Sequence, residues 1–102
     1  MVDDEFTRSV RPHLPSLRRA ALRLTRQPSA ADDLVQDTLL RAFRFWDSYR
    51  ADTQLRAWLL RIQRNAFVSQ WRRDQRMRAL HQELRAERVE PVELEPSPRL
   101  RD

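Results

Sequence analysis

The chain has no cysteine, no glycine and no lysine. Without cysteine there is no disulfide, no thiol nucleophile and no cysteine-held zinc. Without glycine the phosphate-cradling loops of nucleotide-binding folds cannot form, and tight β-hairpins lose the residue their turns favour. The two histidines, His13 and His81, stand far apart with no metal-ligand spacing around them. Ser/His/Asp and Cys/His constellations are missing, and paired carboxylates fall only at helix starts, so neither an enzyme nor a bound cofactor or metal is expected. No apolar run approaches the roughly 20 residues that cross a bilayer. The opening Met1-Val2-Asp3-Asp4-Glu5 is acidic and unlike a signal peptide. A cytoplasmic location is the expectation.

What remains is a 102-residue chain, 40% hydrophobic and 34% charged, with a formal net charge of +5. That length predicts one compact domain with little margin of stability. All of its basic side chains are arginines. A GC-rich genome produces such a set, yet guanidinium groups also grip phosphates in a bidentate manner and stack on rings. A basic domain of this size points to a polyanionic partner.

Apolar residues recur at helical spacing along most of the chain. Val10, Leu14, Leu17, Ala21 and Leu24 form one stripe over a helix between about Asp4 and Arg26. Pro12 and Pro15 place the start of the continuous helix near one of them, with a shorter helix using Phe6 before it. Gln27-Pro28-Ser29 is a break, and Ser29 followed by Asp32 predicts an N-cap with an acidic first turn. The second helix then runs to about Trp46, burying Leu34, Val35, Thr38, Leu39, Ala42, Phe43 and Trp46. A third runs from about Gln54 to Arg76 with Leu55, Leu59, Ile62 and Ala66 on one side, joined by Trp58, and Leu60, Phe67 and Trp71 on the other. Past Leu80 the pattern fades, and Pro91, Pro96 and Pro98 break any helix. The predicted fold is all-α: a compact bundle of three principal helices over residues 1–80, with a flexible, acidic, proline-containing linker or tail over 81–102.

Charge is unevenly placed. Asp32, Asp33 and Asp37 stand without a base between Ser29 and Leu40, whereas Arg41 to Arg78 holds ten arginines against three aspartates. On the third helix Arg61, Asn65 and Arg72 are predicted along one edge, with Trp58 one turn before Arg61. Arginines hold phosphates, an amide reads a base edge, and aromatic rings stack on unpaired bases. Plainer readings stand beside these. An arginine-rich face is often merely solvated, Trp58 fits a core as well as a stacking platform, and Asp33 and Asp37 suit the helix dipole.

Three blocks in order carry a resemblance. Ala31-Asp32-Asp33-Leu34-Val35-Gln36-Asp37-Thr38-Leu39-Leu40-Arg41-Ala42-Phe43 resembles the region-two helix of extracytoplasmic-function (ECF) sigma factors. Leu55-Arg56-Ala57-Trp58-Leu59-Leu60-Arg61-Ile62-Gln63-Arg64-Asn65-Ala66-Phe67 is similar to the helix that follows it in that family, and Arg72-Arg73 to that helix's basic end. Upstream, Ala21-Leu22-Arg23-Leu24-Thr25 resembles a third family block. The resemblance covers about residues 10 to 78. It implies promoter minus-ten recognition and strand opening while bound to core RNA polymerase. Asp33, Gln36, Asp37, Leu40 and Arg41 would dock on the polymerase clamp helices. The loop with Ser48, Tyr49, Arg50, Ala51, Asp52 and Thr53 would capture a flipped non-template base. Arg61, Asn65 and Arg72 would contact the minus-ten element, with Arg56, Arg64, Arg73 and Trp58 as further DNA contacts.

Two departures qualify the likeness. The loop lacks the Pro-Gly type of turn common in the family, which bears on its base preference. The chain also ends where the family's linker to a second, minus-thirty-five-reading domain would begin, as expected of either an isolated domain or a one-domain variant. The competing reading is an interaction module, a sigma-like decoy that occupies an anti-sigma factor or the polymerase clamp without reading DNA.

Overall fold

The computed structural model describes residues 4–50 and 54–93, with side chains over 5–50 and 54–86. The elements in order are α1 (Asp4–Val10), a 3-10 turn (Arg11–His13), α2 (Leu14–Thr25), α3 (Pro28–Arg44), a second 3-10 turn (Trp46–Ser48) and α4 (Leu55–Glu93). No strand occurs among the described residues, so the all-α expectation holds. The chain divides into two units, Met1–Ser69 and Gln70–Asp102.

The first unit is the bundle. Pro12 and Pro15 each sit in the first turn of a helical element, where a missing N–H costs nothing. They split the long first segment into α1, a 3-10 turn and α2. The stripe expected on that segment points inward: Val10, Leu17 and Ala21 are buried, and Leu14 and Leu24 half-buried. Phe6, Val10, Leu17, Ala42 and Leu59 form one core cluster; Ala21, Ala31, Leu34 and Ala66 form a second. The second cluster is mostly alanine, and small side chains let helix backbones approach closely. Leu60 packs on the first cluster and Phe67 on the second, both half-buried, whereas Trp71 on this other apolar side of α4 is exposed. Among the described residues two polar side chains are fully buried. Thr38 Oγ1 donates to the Leu34 carbonyl at 2.8 Å, and Gln63 Nε2 donates to the Leu17 carbonyl at 3.2 Å, tying α4 to α2.

Only Arg26 and Gln27 separate α2 from α3. A chain without glycine must turn this corner with another residue, and Arg26 adopts the left-handed conformation (φ 63°, ψ 18°), its N–H donating to the Leu22 carbonyl at 2.8 Å. Thr25 Oγ1 donates to the Ala21 carbonyl at 2.9 Å and closes the last turn. A non-glycine residue in this region carries a penalty of roughly 1–2 kcal/mol, part of which glycine returns as unfolded-chain entropy. Arg26→Gly is therefore expected to stabilise the first unit by about 0.5–1 kcal/mol, read as a raised thermal midpoint. An unchanged or lowered midpoint would show that the arginine side chain offsets the strain.

Three local expectations are corrected. α3 starts two residues earlier than a Ser29 cap implies: Gln27 is the extended N-cap residue with no side-chain cap, Pro28 occupies the first turn, and no acidic residue falls in that turn. Its fixed φ pre-sets the turn, so no hydroxyl cap is required. Phe43, expected inside, is exposed and meets Phe6 edge-on at 5.2 Å between ring centroids. Finally, α4 does not fade near Arg76 or Leu80 but continues through Glu93, so residues 81–93 are helical where a linker was expected. The stretch from Met77 to Glu90 is built of strong helix formers, chiefly Arg, Glu, Gln, Leu and Ala. Propensity sustains the helix where amphipathic periodicity stops, and Pro91 falls in its last turn. Residues 94–102 lie outside the described residues.

Candidate nucleic-acid interface

The end of α3 builds the first part of the site. Phe45 N–H donates to the Arg41 carbonyl at 3.0 Å, and the chain then tightens into the 3-10 turn, with Ser48 N–H and Tyr49 N–H donating to the Phe45 and Trp46 carbonyls at 2.9 and 3.1 Å. Ser48 Oγ also donates to the Phe45 carbonyl at 2.7 Å, so this serine braces the turn. The fold-back lays the Tyr49 ring on Trp46, stacked at 5.4 Å and 15°. Tyr49 also meets Trp58 of α4 at 5.1 Å, and the two tryptophans lie 6.1 Å apart. Phe6 stands edge-on to Trp46 at 5.1 Å. These offset and edge geometries are the ones the ring quadrupole favours. Trp58 packs on the core cluster and also meets the loop tyrosine, which accords with the core reading of this residue. Tyr49 and Trp58 are half-buried; Ser48 and Arg50 are exposed. Ala51, Asp52 and Thr53 of the expected base pocket lie outside the described residues.

α4 builds the second part. Arg56, Arg61, Arg64 and Asn65 are all exposed. Trp58, Arg61 and Asn65 recur at spacings of three and four and so share one side of the helix. The cluster thus joins a ring platform, guanidinium groups and one amide within the first unit. Arg72 and Arg73 are exposed residues of the second unit.

α3 supplies a separate surface. Asp33, Gln36 and Leu40 are exposed, Leu40 at 70%. Asp37 and Arg41 are half-buried and pair with each other, Nε to Oδ1 at 3.1 Å. The five share one helix face by their three- and four-residue spacing. Asp32 turns toward α2 and pairs with Arg18 at 3.1 Å, an exposed contact of small energetic weight.

Sequence reasoning passed over several participants. Trp46 was expected as core, yet it is the ring on which Tyr49 rests. Gln63 interrupts the Leu59–Ala66 stripe with a polar residue at a core position, a legible signal of a buried hydrogen bond. Arg23 belongs to the upstream family-like block but was assigned no role there; it lines one groove with Arg61 and Arg64 because α2 packs beside α4.

Residues 9–77 match the sigma-70 region 2 family. The chain belongs to that family. Among relatives of sigma-70 region 2 type, the ECF RNA polymerase sigma factor EcfG of Rhodopseudomonas palustris is 48% identical over 63 residues, 62% of this chain and 35% of that protein. The ECF RNA polymerase sigma factor SigE of Mycolicibacterium smegmatis is 39% identical over 69 residues, 68% of this chain and 26% of its own. In these relatives the region 2 match therefore spans about a third of the protein or less. The sigma factor RpoE of Bartonella quintana, solved in complex with the anti-sigma factor NepR, superposes with a TM-score of 0.68 at 40% identity, covering 74% of this chain and 47% of that one. The ECF resemblance and the region 2 helical fold drawn from the sequence are both borne out.

Proposed function

We propose that this region 2 chain binds the non-template strand of a promoter minus-ten element and helps open the duplex while docked on the clamp helices of core RNA polymerase. The observation that carries the reading is the Tyr49–Trp46–Trp58 ring set beside Arg61 and Asn65. An unpaired base gains stacking energy on such a platform; guanidinium groups neutralise the phosphates beside it, and Asn65 supplies the donor and acceptor that read a base edge. Arg50, Arg56, Arg64, Arg72 and Arg73 add phosphate contacts, and the loop from Ser48 through Ala51, Asp52 and Thr53 walls the base. Asp33, Gln36, Asp37, Leu40 and Arg41 form the polymerase-docking face, where the internal Asp37–Arg41 pair presents both signs of charge around exposed Leu40. The work is done by binding alone, without covalent chemistry or a cofactor, and in the cytoplasm. NepR bound to RpoE supports an anti-sigma factor as a further partner.

The test is fluorescence anisotropy with a labelled single-stranded minus-ten oligonucleotide and scrambled controls, across a salt series, with isolated clamp helices present. Wild-type protein is expected to prefer the minus-ten sequence, with affinity falling steeply as salt rises. Asn65→Ala should lose roughly five- to hundredfold of discrimination at one base. Asp37→Arg should release the clamp helices. Binding indifferent to sequence, with the clamp interaction intact, would instead make the chain a module that acts through protein contacts alone.

A further inference from the structure

Between α2 and α4 the first unit carries an open groove of about 520 Å³. Its floor is apolar, made by Ala20 and Leu24 of α2 and by Ala57 and Leu60 of α4. Arg23, Arg61 and Arg64 rim it, all exposed, and no acidic residue is among its lining. The remaining lining residue is Gln63. It is 1% exposed, and while its Nε2 is used on the Leu17 carbonyl, its Oε1 has no hydrogen-bond partner among the described residues. A buried amide oxygen left unpaired is costly, and its residue is one of those lining the groove.

We infer that this groove docks an acidic amphipathic helix of another protein. Two packed helices with small residues facing each other leave room for the apolar stripe of a third, in the helix-in-groove manner. Ala20 and Ala57 supply that room, and Leu24 and Leu60 the apolar contact. Carboxylates flanking the stripe meet Arg23 on one wall and Arg61 and Arg64 on the other. The charge pattern alone also suits a nucleic-acid strand, but no aromatic ring lines the groove. An unpaired base would lack a stacking surface there, and phosphates on the rim would leave the apolar floor uncovered.

The probe is a synthetic helical peptide with leucines at i, i+3, i+4 and i+7, a central serine and flanking glutamates, titrated into the isotope-labelled chain and followed by amide NMR shifts. A peptide with lysine in place of every glutamate and a single-stranded oligonucleotide are titrated alongside. The expected shifts cluster at Ala20, Arg23, Leu24 and Ala57, with the Gln63 side-chain NH2 pair moving as well. Arg23→Glu is expected to weaken the acidic peptide about tenfold, while Arg19→Glu, outside the groove on the same helix, changes affinity less than twofold. Ala57→Trp fills the groove without altering charge and should abolish binding; well-dispersed amide spectra would show that both variants fold. Equal binding of the lysine peptide, or shifts centred elsewhere, overturns the proposal. So does an oligonucleotide that moves the same amides and displaces the peptide, which assigns the groove to DNA.

Discussion

Leu17→Ala should unfold the first unit more readily than any other single truncation, costing about 3–5 kcal/mol. The side chain is fully buried in the cluster with Phe6, Val10, Ala42 and Leu59. Its own carbonyl accepts the bond from Gln63 that joins α4 to α2. Removing the side chain opens a cavity where four helices meet, and any shift of α2 to fill it strains that bond. Thermal unfolding is the direct measure. A loss of this size lowers the midpoint by roughly 4–8 °C per kcal/mol in a domain this small. Leu22→Ala, on the exposed side of the same helix, provides the comparison and should cost under about 1 kcal/mol. If the two variants melt together, the packing of α2 contributes far less than its burial indicates.

Trp46→Ala is expected to damage both fold and site. Its ring touches Phe6, Tyr49 and Trp58, so truncation removes the centre of the aromatic assembly. Full truncation of a buried aromatic costs about 3–5 kcal/mol. Trp46 is half-buried, which places it at about 2–3 kcal/mol on the same scale. The loss of function should be disproportionate. Tyr49 then has no surface to rest on, and the start of the loop loses its fixed position against α4. Oligonucleotide affinity is expected to fall about tenfold or more, one stacked base being worth roughly 1–3 kcal/mol. Trp46→Phe separates the effects: it keeps a ring under Tyr49 and should recover most of the affinity while recovering only part of the stability. Full affinity in Trp46→Ala, measured well below its melting point, would exclude the ring set from DNA binding.

Much of this architecture was open to inspection in the bare sequence. The stripe from Val10 to Leu24 marks the segment from the end of α1 through α2 because every third or fourth residue is apolar, and Leu34, Thr38 and Ala42 mark α3 in the same way. The outward face of Asp33, Gln36 and Leu40 follows from those same spacings. The misreadings have separate physical sources. At the start of α3, Ser29 offered an attractive cap, but a proline already fixed in helical φ made the cap unnecessary. At the end of α4, periodicity and propensity disagreed: the apolar stripe thins, yet arginine, glutamate and alanine keep the backbone helical without a core to face. Phe43 obeys helical spacing but meets only the edge of the Phe6 ring from α1 and stays half exposed. The ring platform was the least legible feature. Trp46 and Tyr49 are three residues apart in a segment that looked like helix end and loop. Only the 3-10 turn stacks them, and only tertiary packing brings Trp58 across from α4. Arg23 was hidden for the same reason, since its relation to Arg61 and Arg64 exists only once α2 lies beside α4.

The placement of the three tryptophans makes the chain its own optical probe. Trp46 and Trp58 sit within energy-transfer reach of each other and of Tyr49, the chain's one tyrosine. Trp71 is exposed in the second unit. Light absorbed by Tyr49 passes to its two indole neighbours, so tyrosine emission is quenched for as long as the loop rests on them. The third indole, already exposed, is expected to emit at the red wavelengths of a solvated ring. Loop displacement and bundle unfolding thereby acquire different spectral signatures in the unlabelled molecule.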